Sequence, residues 1–283
     1  MQAYKSNRFG QNEIVEAIKR HKTRFIVIIA VIAAVIITIA AVINLTQNRN
    51  FSSSFLVSGD VIKIGIRTDI ERFGQMEEDG TITGFDRDVI DEALNRILPA
   101  KERLIEFVSI TSQDAGANIK YGVTNINLGL IVADSEKTSG FRISDSYYED
   151  NVVAVVQGSS RLDKISNMEG GRLGVFQSVL PDNSMSGYLS KNKMEFDTLR
   201  YSDYESAITD LEHNRVNAII MPYAMARQFE QAGLRVLAEP LFTVAYSVML
   251  PTNQAAFCTE LNKALAEMRR DGTLDELAAK WNL

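Results

Sequence analysis

Residues 131–151, IVADSEKTSGFRISDSYYEDN, divide the chain. The run opens as the end of a buried strand, passes Lys137 and Arg142 among hydroxyl-bearing residues, and closes on the adjacent aromatics Tyr147 and Tyr148. What stands on either side of it decides the fold. Upstream, VIKIG (61–65) reads as a strand, and QMEEDGTITG (75–84) as a hairpin turning on Asp79-Gly80. GFDRDVIDEALNRIL (84–98) places Val89, Ile90, Ala93, Leu94, Ile97 and Leu98 on one helical stripe, with Asp86 as N-cap and Asp88 in the first turn. LIEFVSI (104–110) and INLGLIV (126–132) are strands with a helical stretch between them, so the order is β, α, β, α, β.

Downstream the alternation starts again. NVVAVV (151–156) and RLGVF (172–176) are continuous apolar runs, the kind buried on both faces of a parallel sheet. Residues 204–216 read as a helix with Ala207, Ile208 and Leu211 inward, NAIIM (217–221) as a strand, and YAMARQFEQAG (223–233) as a helix ended by Gly233. LFTVAYSVML (241–250) returns as a strand. The run 257–281 then carries Phe257, Leu261, Leu265 and Met268 on one face. Two alternating sets of this kind predict an α/β protein in two lobes.

One segment stands apart. Phe25 to Ile43 is apolar over 19 residues except for Thr38, close to the roughly 20 residues that cross a bilayer. It reads as a transmembrane signal anchor over residues 25–45. A cleaved signal peptide is the rival reading, against which stands the length of the run, since secretory apolar regions extend over about 7–15 residues. Residues 1–24 hold six basic and two acidic side chains, net +4, and leave 24 basic and 34 acidic residues to the remainder, net −10. Basic residues packed against the start of the helix stay in the cytoplasm, which puts the C-terminal domain on the extracytoplasmic side of the cell membrane. The expected organisation is a cytoplasmic segment 1–24, the anchor 25–45, a polar, serine-rich tether 46–59 and a folded domain 60–283.

Composition narrows the chemistry. A single cysteine, Cys258, excludes an intramolecular disulfide or CxxC site, and two histidines, His21 and His213, lie far apart, so no metal or cofactor is expected. The acidic remainder carries no electrostatic footprint for nucleic acid. No acid–base pair or nucleophile constellation is evident, so the chain is not read as an enzyme. SKNK (190–193) and KTSG (137–140) are too short to count as catalytic boxes. Gln177 and Ser178 precede a helix expected near Asp182, whose first backbone N–H groups could receive an anion. Asp69, at the end of the first strand, reads either as a turn former or as a ligand contact, and Phe73 either as core or as a stacking platform.

The pieces DGTITGFDRDVIDEAL, ISDSYYEDNVVAV, LGVFQS, YESAITDLEHNRVNAII and LNKALAEMRRDGTLDELAAKW, in that order, resemble the extracellular solute-binding proteins of family 3, the polar amino-acid receptors of ABC importers. The resemblance covers residues 60–283. It implies a type 2 periplasmic-binding-protein-like domain with a small-molecule cleft between its lobes, ABC permease subunits as partners, and two crossover strands near Tyr148–Val153 and Glu239–Val244. Lobe one would comprise residues 60–148 and 245–283, and lobe two residues 152–238. It further implies that Lys137 stands where the family carries a carboxylate-gripping arginine, and that Tyr147 and Tyr148 are hinge packing. The pattern is broken at several points. Val132 and Asp134 replace a Thr-x-Thr pair, QSVL (177–180) replaces a Gln-Gly-Thr-Thr type of loop, and Pro222 stands where an aspartate commonly receives the α-ammonium. The ligand set so implied is Lys137, Asp134, Asp69, Phe73, Gln177 and Ser178. The expected function is a membrane-tethered receptor that delivers an amino acid or related small anionic or polar solute to an importer by closing around it; a sensory or scaffold ectodomain of the same fold is the alternative.

Overall fold

The computed structural model describes residues 61–98, 104–133, 138–168, 170–176, 180 and 183–283. The expected cytoplasmic segment 1–24, anchor 25–45 and tether 46–59 lie outside the described residues, among which no helix is long and apolar enough to cross a membrane. Gly59–Leu283 forms one compact unit.

The first set of elements begins with β1 (Ile62–Arg67), β2 (Asp69–Ile70), β3 (Gly74–Met76) and β4 (Ile82–Thr83). The hairpin between β3 and β4 turns where the sequence says it should: Gly80 takes a left-handed φ of 83°, and the Asp79 carboxylate accepts from the Thr81 amide at 2.9 Å. α1 (Phe85–Ile97) follows. Its cap is Gly84, not Asp86. Asp86 lies inside the first turn with its side chain wholly buried, because Gly84, at φ 132°, brings the helix start so close to the Phe73 carbonyl that a Cβ there would collide with it. β5 (Ile105–Ile110), α2 (Ala115–Lys120) and β6 (Ile126–Leu128) complete the set. β1 pairs in parallel with β5 on one side and β6 on the other.

β7 (Arg142–Gln157) is one 16-residue strand that runs through Tyr147, Tyr148 and the apolar run after them. The second set follows it: β8 (Arg172–Phe176), α3 (Ser184–Lys191), β9 (Asp197–Tyr201), α4 (Tyr204–Glu212), β10 (Ala218–Pro222), α5 (Tyr223–Ala226) and β11 (Leu234–Val236). Asp203 caps α4 by accepting from the Ser206 amide at 2.8 Å, the expected chemistry for an aspartate just before an amphipathic run. The expected 223–233 helix is α-helical for one turn and then tightens to a 3-10 helix over Arg227–Ala232, ending at Gly233 in the left-handed region. β12 (Phe242–Leu250), α6 (Ala255–Arg270) and α7 (Thr273–Lys280) close the chain, the last two separated by Asp271 and a left-handed Gly272.

These strands form a sheet in the order β5-β1-β6-β12-β7-β10-β8-β9, with β11 on β7. β8 is parallel to β9 and β10. β7 is not parallel to anything: it runs antiparallel to β10, β11 and β12, which corrects the parallel reading of NVVAVV. The apolar run reports burial on both faces, and Val152 to Val156 are all buried, but burial carries no information about strand direction. The β7–β12 ladder, from Arg142↔Leu250 to Val152↔Phe242, is the seam where the two α/β sets meet.

Candidate functional site

Side chains alternate across a strand, so Tyr148 and Asp150 share one face of β7. Their partners across the ladder are Tyr246 and Val244. This face of the seam is a small aromatic platform with one carboxylate in it. Tyr148 lies nearly parallel to Tyr246, at 6.2 Å and 17°. Phe73 from the β2–β3 turn meets Tyr148, Tyr246 and Phe85 edge-on at 5.4, 5.8 and 5.6 Å. Edge-to-face pairs of this kind contribute roughly 0.5–1.5 kcal/mol each beyond simple burial. Phe73 and Tyr246 are wholly buried and Tyr148 is half-buried, so Phe73 acts as the support beneath Tyr148.

Asp150 ties the platform to the second set. Its Oδ2 accepts from the Tyr246 hydroxyl at 2.8 Å and from the Ala224 amide at 3.1 Å, in the first turn of α5. Burial pushes its carboxyl above the usual range, against the opposing pull of those two donors. Arg227, one turn further on, donates to the Asn282 carbonyl at 2.6 Å and lies over the Tyr223 ring at 5.4 Å. Arg72, from the β2–β3 turn, reaches the same carbonyl at 3.1 Å. One backbone oxygen near the end of the chain therefore accepts from both α/β sets.

The opposite side of β7 holds a second polar cluster. Tyr147 donates to Asp86 at 2.7 Å, both are buried, and burial raises the Asp86 pKa to about 7. Arg67, 4% exposed at the end of β1, is packed against Gly129, where any Cβ would strike its side chain. It grips Asp69 with two parallel bonds, Nε to Oδ1 at 3.0 Å and Nη2 to Oδ2 at 2.7 Å. Among the described residues, its Nη1 and the Asp86 Oδ2 are buried without a hydrogen-bond partner.

Of the residues expected at a ligand site, Asp69 is in β2, exposed and paired with Arg67, and Phe73 is buried beneath the platform. Lys137, Asp134, Gln177 and Ser178 lie outside the described residues. Asp150, Arg67, Tyr246 and Arg227 were not singled out by sequence. For Asp150 a signal existed: it sits two residues beyond Tyr148 in a strand, and must share its face.

The sequence profile of the bacterial extracellular solute-binding proteins, family 3, matches residues 62–283. The chain belongs to this family. Among its curated relatives are an ABC transporter glutamine-binding protein of Bacillus subtilis strain 168, 24% identical over 240 residues that cover 83% of this chain and 86% of the relative, and a histidine-binding periplasmic protein of Salmonella typhimurium, 22% identical over 241 residues covering 81% and 90%. Among solved structures, the substrate-binding protein of a Streptococcus pneumoniae ABC uptake transporter with bound histidine superposes with a TM-score of 0.63 at 19% identity, over 81% of this chain and 94% of that one. An ancestral amino-acid-binding protein described as a precursor of cyclohexadienyl dehydratase gives 0.63 at 17% identity, covering 81% and 98%. The fold is thus the two-lobed α/β architecture of the periplasmic binding proteins.

Proposed function

We propose that this family member is a membrane-tethered extracytoplasmic receptor that takes up an amino acid or related small anionic or polar solute between its lobes, closes around it and presents it to the permease of an ABC importer. The observation that carries the reading is the seam itself. Two α/β sets are joined through two antiparallel strands, and a polar and aromatic platform lies on one face of that joint, flanked by the β2–β3 turn of one set and the start of α5 of the other. Joints of two strands permit hinge closure by small backbone rotations. The amino-acid-binding relatives support the solute class, and the apolar run 25–43 supports the tether.

Within this reading Lys137, Asp134, Gln177, Ser178, Asp69 and Phe73 are the candidate ligand contacts, of which Asp69 and Phe73 lie among the described residues. Phe73 contributes by holding Tyr148 in place. The importer identifies the partner class, and no catalytic step is assigned.

The test is thermal unfolding of the detergent-solubilised full chain against a metabolite panel, with calorimetry on every hit. Binding of an amino acid or a small carboxylate that raises the unfolding temperature is the expected result. A panel of amino acids, small acids, amines and sugars that leaves it unmoved would sink the receptor reading. For the tether, protease added to intact cells should remove residues 60–283 while the protein fractionates with membranes, and a soluble form beginning near Ala41 would show a cleaved signal instead.

A further inference from the structure

Among the described residues, the large apolar side chains left in solvent are unevenly spread. Met76, Leu199 and Tyr223 belong to three different elements. Val61, Leu104, Tyr121 and Val123, which are 40%, 57%, 74% and 47% exposed, all stand at the end of the first α/β set where its parallel strands begin. Val61 precedes β1 and Leu104 precedes β5, and the Ile62 amide donates to the Leu104 carbonyl at 2.7 Å. Tyr121 and Val123 lie in the turn between α2 and β6. That turn is pinned to the same end of β1: the Asn125 amide donates to the Lys63 carbonyl at 2.7 Å, and the Lys63 amide to the Asn125 Oδ1 at 2.8 Å. Within it the Tyr121 amide donates to the Ala117 carbonyl at 2.9 Å and the Val123 amide to the Asn118 carbonyl at 2.8 Å, so a bonded backbone presents these side chains. Lys120 reaches over the Tyr121 ring at 5.7 Å.

Exposed apolar residues that stand singly are ordinary, but a cluster on one rim with polar neighbours marks a surface that meets a partner. Two observations select that partner. Val61 is where the chain enters the domain: residues 44–60, seventeen in number, separate it from the end of the apolar run at Ile43 and span at most about 60 Å at full extension. A domain on so short a lead meets the surface its anchor spans at high effective concentration, so a contact too weak to hold a free protein suffices. The cluster is also small. Four side chains fall well short of the roughly 20–30 residues a side of a stable protein interface. A tyrosine, aliphatic side chains and a lysine that extends past them are instead the residue types that settle at a headgroup layer. With a rise of about 3.3 Å per residue along β1, the rim stands roughly 20 Å from Arg67 at the other end of that strand, beyond which β2 and the platform begin. Contact at the rim therefore leaves the seam open to solute.

We propose that Val61, Leu104, Tyr121 and Val123 form a membrane-docking face that seats in the phospholipid headgroup layer and sets the domain on the bilayer with the seam away from lipid. This goes beyond the receptor reading and rests on its tether. A lead of seventeen residues by itself permits many orientations of the domain. The docked face restricts them, which leaves a partner in the same bilayer fewer to search.

The experiment is fluorescence quenching on the full chain reconstituted into phosphatidylglycerol–phosphatidylcholine vesicles. The sole cysteine, which is buried, is removed as Cys258→Ala, and an environment-sensitive dye is attached to one introduced cysteine. The sites are Leu104→Cys and Tyr121→Cys on the rim, and Leu199→Cys on β9 at the opposite edge of the sheet. Two quenchers are compared, a nitroxide carried by the lipid headgroups and iodide in the water. The proposal expects the nitroxide to lower emission at least twofold at the two rim sites and to leave the β9 site unchanged, with iodide showing the reverse order. Val123→Asp in the Tyr121→Cys chain should remove at least half of the nitroxide quenching, because a carboxylate resists entry into the layer. Circular dichroism of each chain confirms the fold. Equal nitroxide quenching at Tyr121→Cys and Leu199→Cys, or quenching that survives Val123→Asp unchanged, overturns the proposal. Shielding of the Tyr121→Cys site from iodide without nitroxide quenching also overturns it and assigns the rim to a protein contact. In all three cases a chain that floats with the vesicles keeps its tether. A full chain that does not float with them takes the tether down, and this proposal with it.

Discussion

Asp86 and Asp150 stand on opposite sides of one strand and show how position sets the fate of a carboxyl group. Asp86 is enclosed, and burial raises its pKa from 3.8 to about 7, with the Tyr147 hydroxyl and the field of Arg67 opposing the rise. The folded state therefore holds a proton that the unfolded chain releases between about pH 4 and 7. Stability falls as pH rises through that window, and the deficit is fully felt above about pH 7. A tenfold change in proton affinity corresponds to about 1.36 kcal/mol, which makes the deficit on the order of 4 kcal/mol. Asp86→Asn should flatten that slope, because its amide oxygen still accepts from Tyr147 and no proton is exchanged. Urea unfolding at pH 4.5 and pH 8 checks this: the wild type should lose stability between the two and the variant much less. Equal losses would mean that Asp86 is charged in the folded protein. Neither environment was legible in the sequence. Asp86 looked like a helix cap because aspartate before an apolar stripe usually is one, and only the approach of Gly84 to the Phe73 carbonyl moves the helix start two residues earlier. Asp150 passed as one acid in a run of polar residues, since its partners Tyr246 and Ala224 lie 96 and 74 positions away.

At the scale of elements, what could be read was whatever carries its own periodicity. The stripe of α1 and the runs that become β1, β5, β8, β10 and β12 announce themselves through their own residues. β9 does not: Asp197, Thr198, Leu199 and Arg200 are exposed, and this edge strand exists because β8 offers it a partner. The direction of β7 was hidden for the same reason, since pairing is a property of two segments. The C-terminal helices show how a local motif gains a global task. Gly272 breaks the amphipathic run, which lets α7 fold back on α1 so that Asp88 accepts from Lys280 and from the Trp281 indole, each at 2.7 Å. Arg96 fixes the break itself through Asp271 and Thr273. Asp88→Ala removes two bonds that involve a charged acceptor and should cost about 1–3 kcal/mol, or about 2–4 °C per kcal/mol for a domain of this size. Hydrogen exchange should quicken first in α7, with β1 protected as before. Uniform quickening across β1 and α7 would show that the tail is part of the cooperative core.

At the scale of the molecule, the order of elements was legible, and with it the two-lobed α/β class, because alternating runs on either side of residues 131–151 leave few other architectures. The candidate site was less so. Of the side chains expected there, Lys137, Asp134, Gln177 and Ser178 lie outside the described residues, Asp69 pairs with Arg67, and Phe73 packs against Tyr148, while Asp150 and Tyr246 bond to each other across the seam. A site between lobes is assembled from distant segments, and sequence patterns report each segment alone. The Asn282 carbonyl accepts from Arg72, in the first α/β set, and from Arg227, in the second. The central claim is that a solute bound at the seam draws the lobes together. Small-angle X-ray scattering of the protein, alone and saturated with a ligand whose binding calorimetry has established, tests it directly. A smaller radius of gyration in the saturated sample is the predicted result, and superimposable profiles with the ligand demonstrably bound would contradict it.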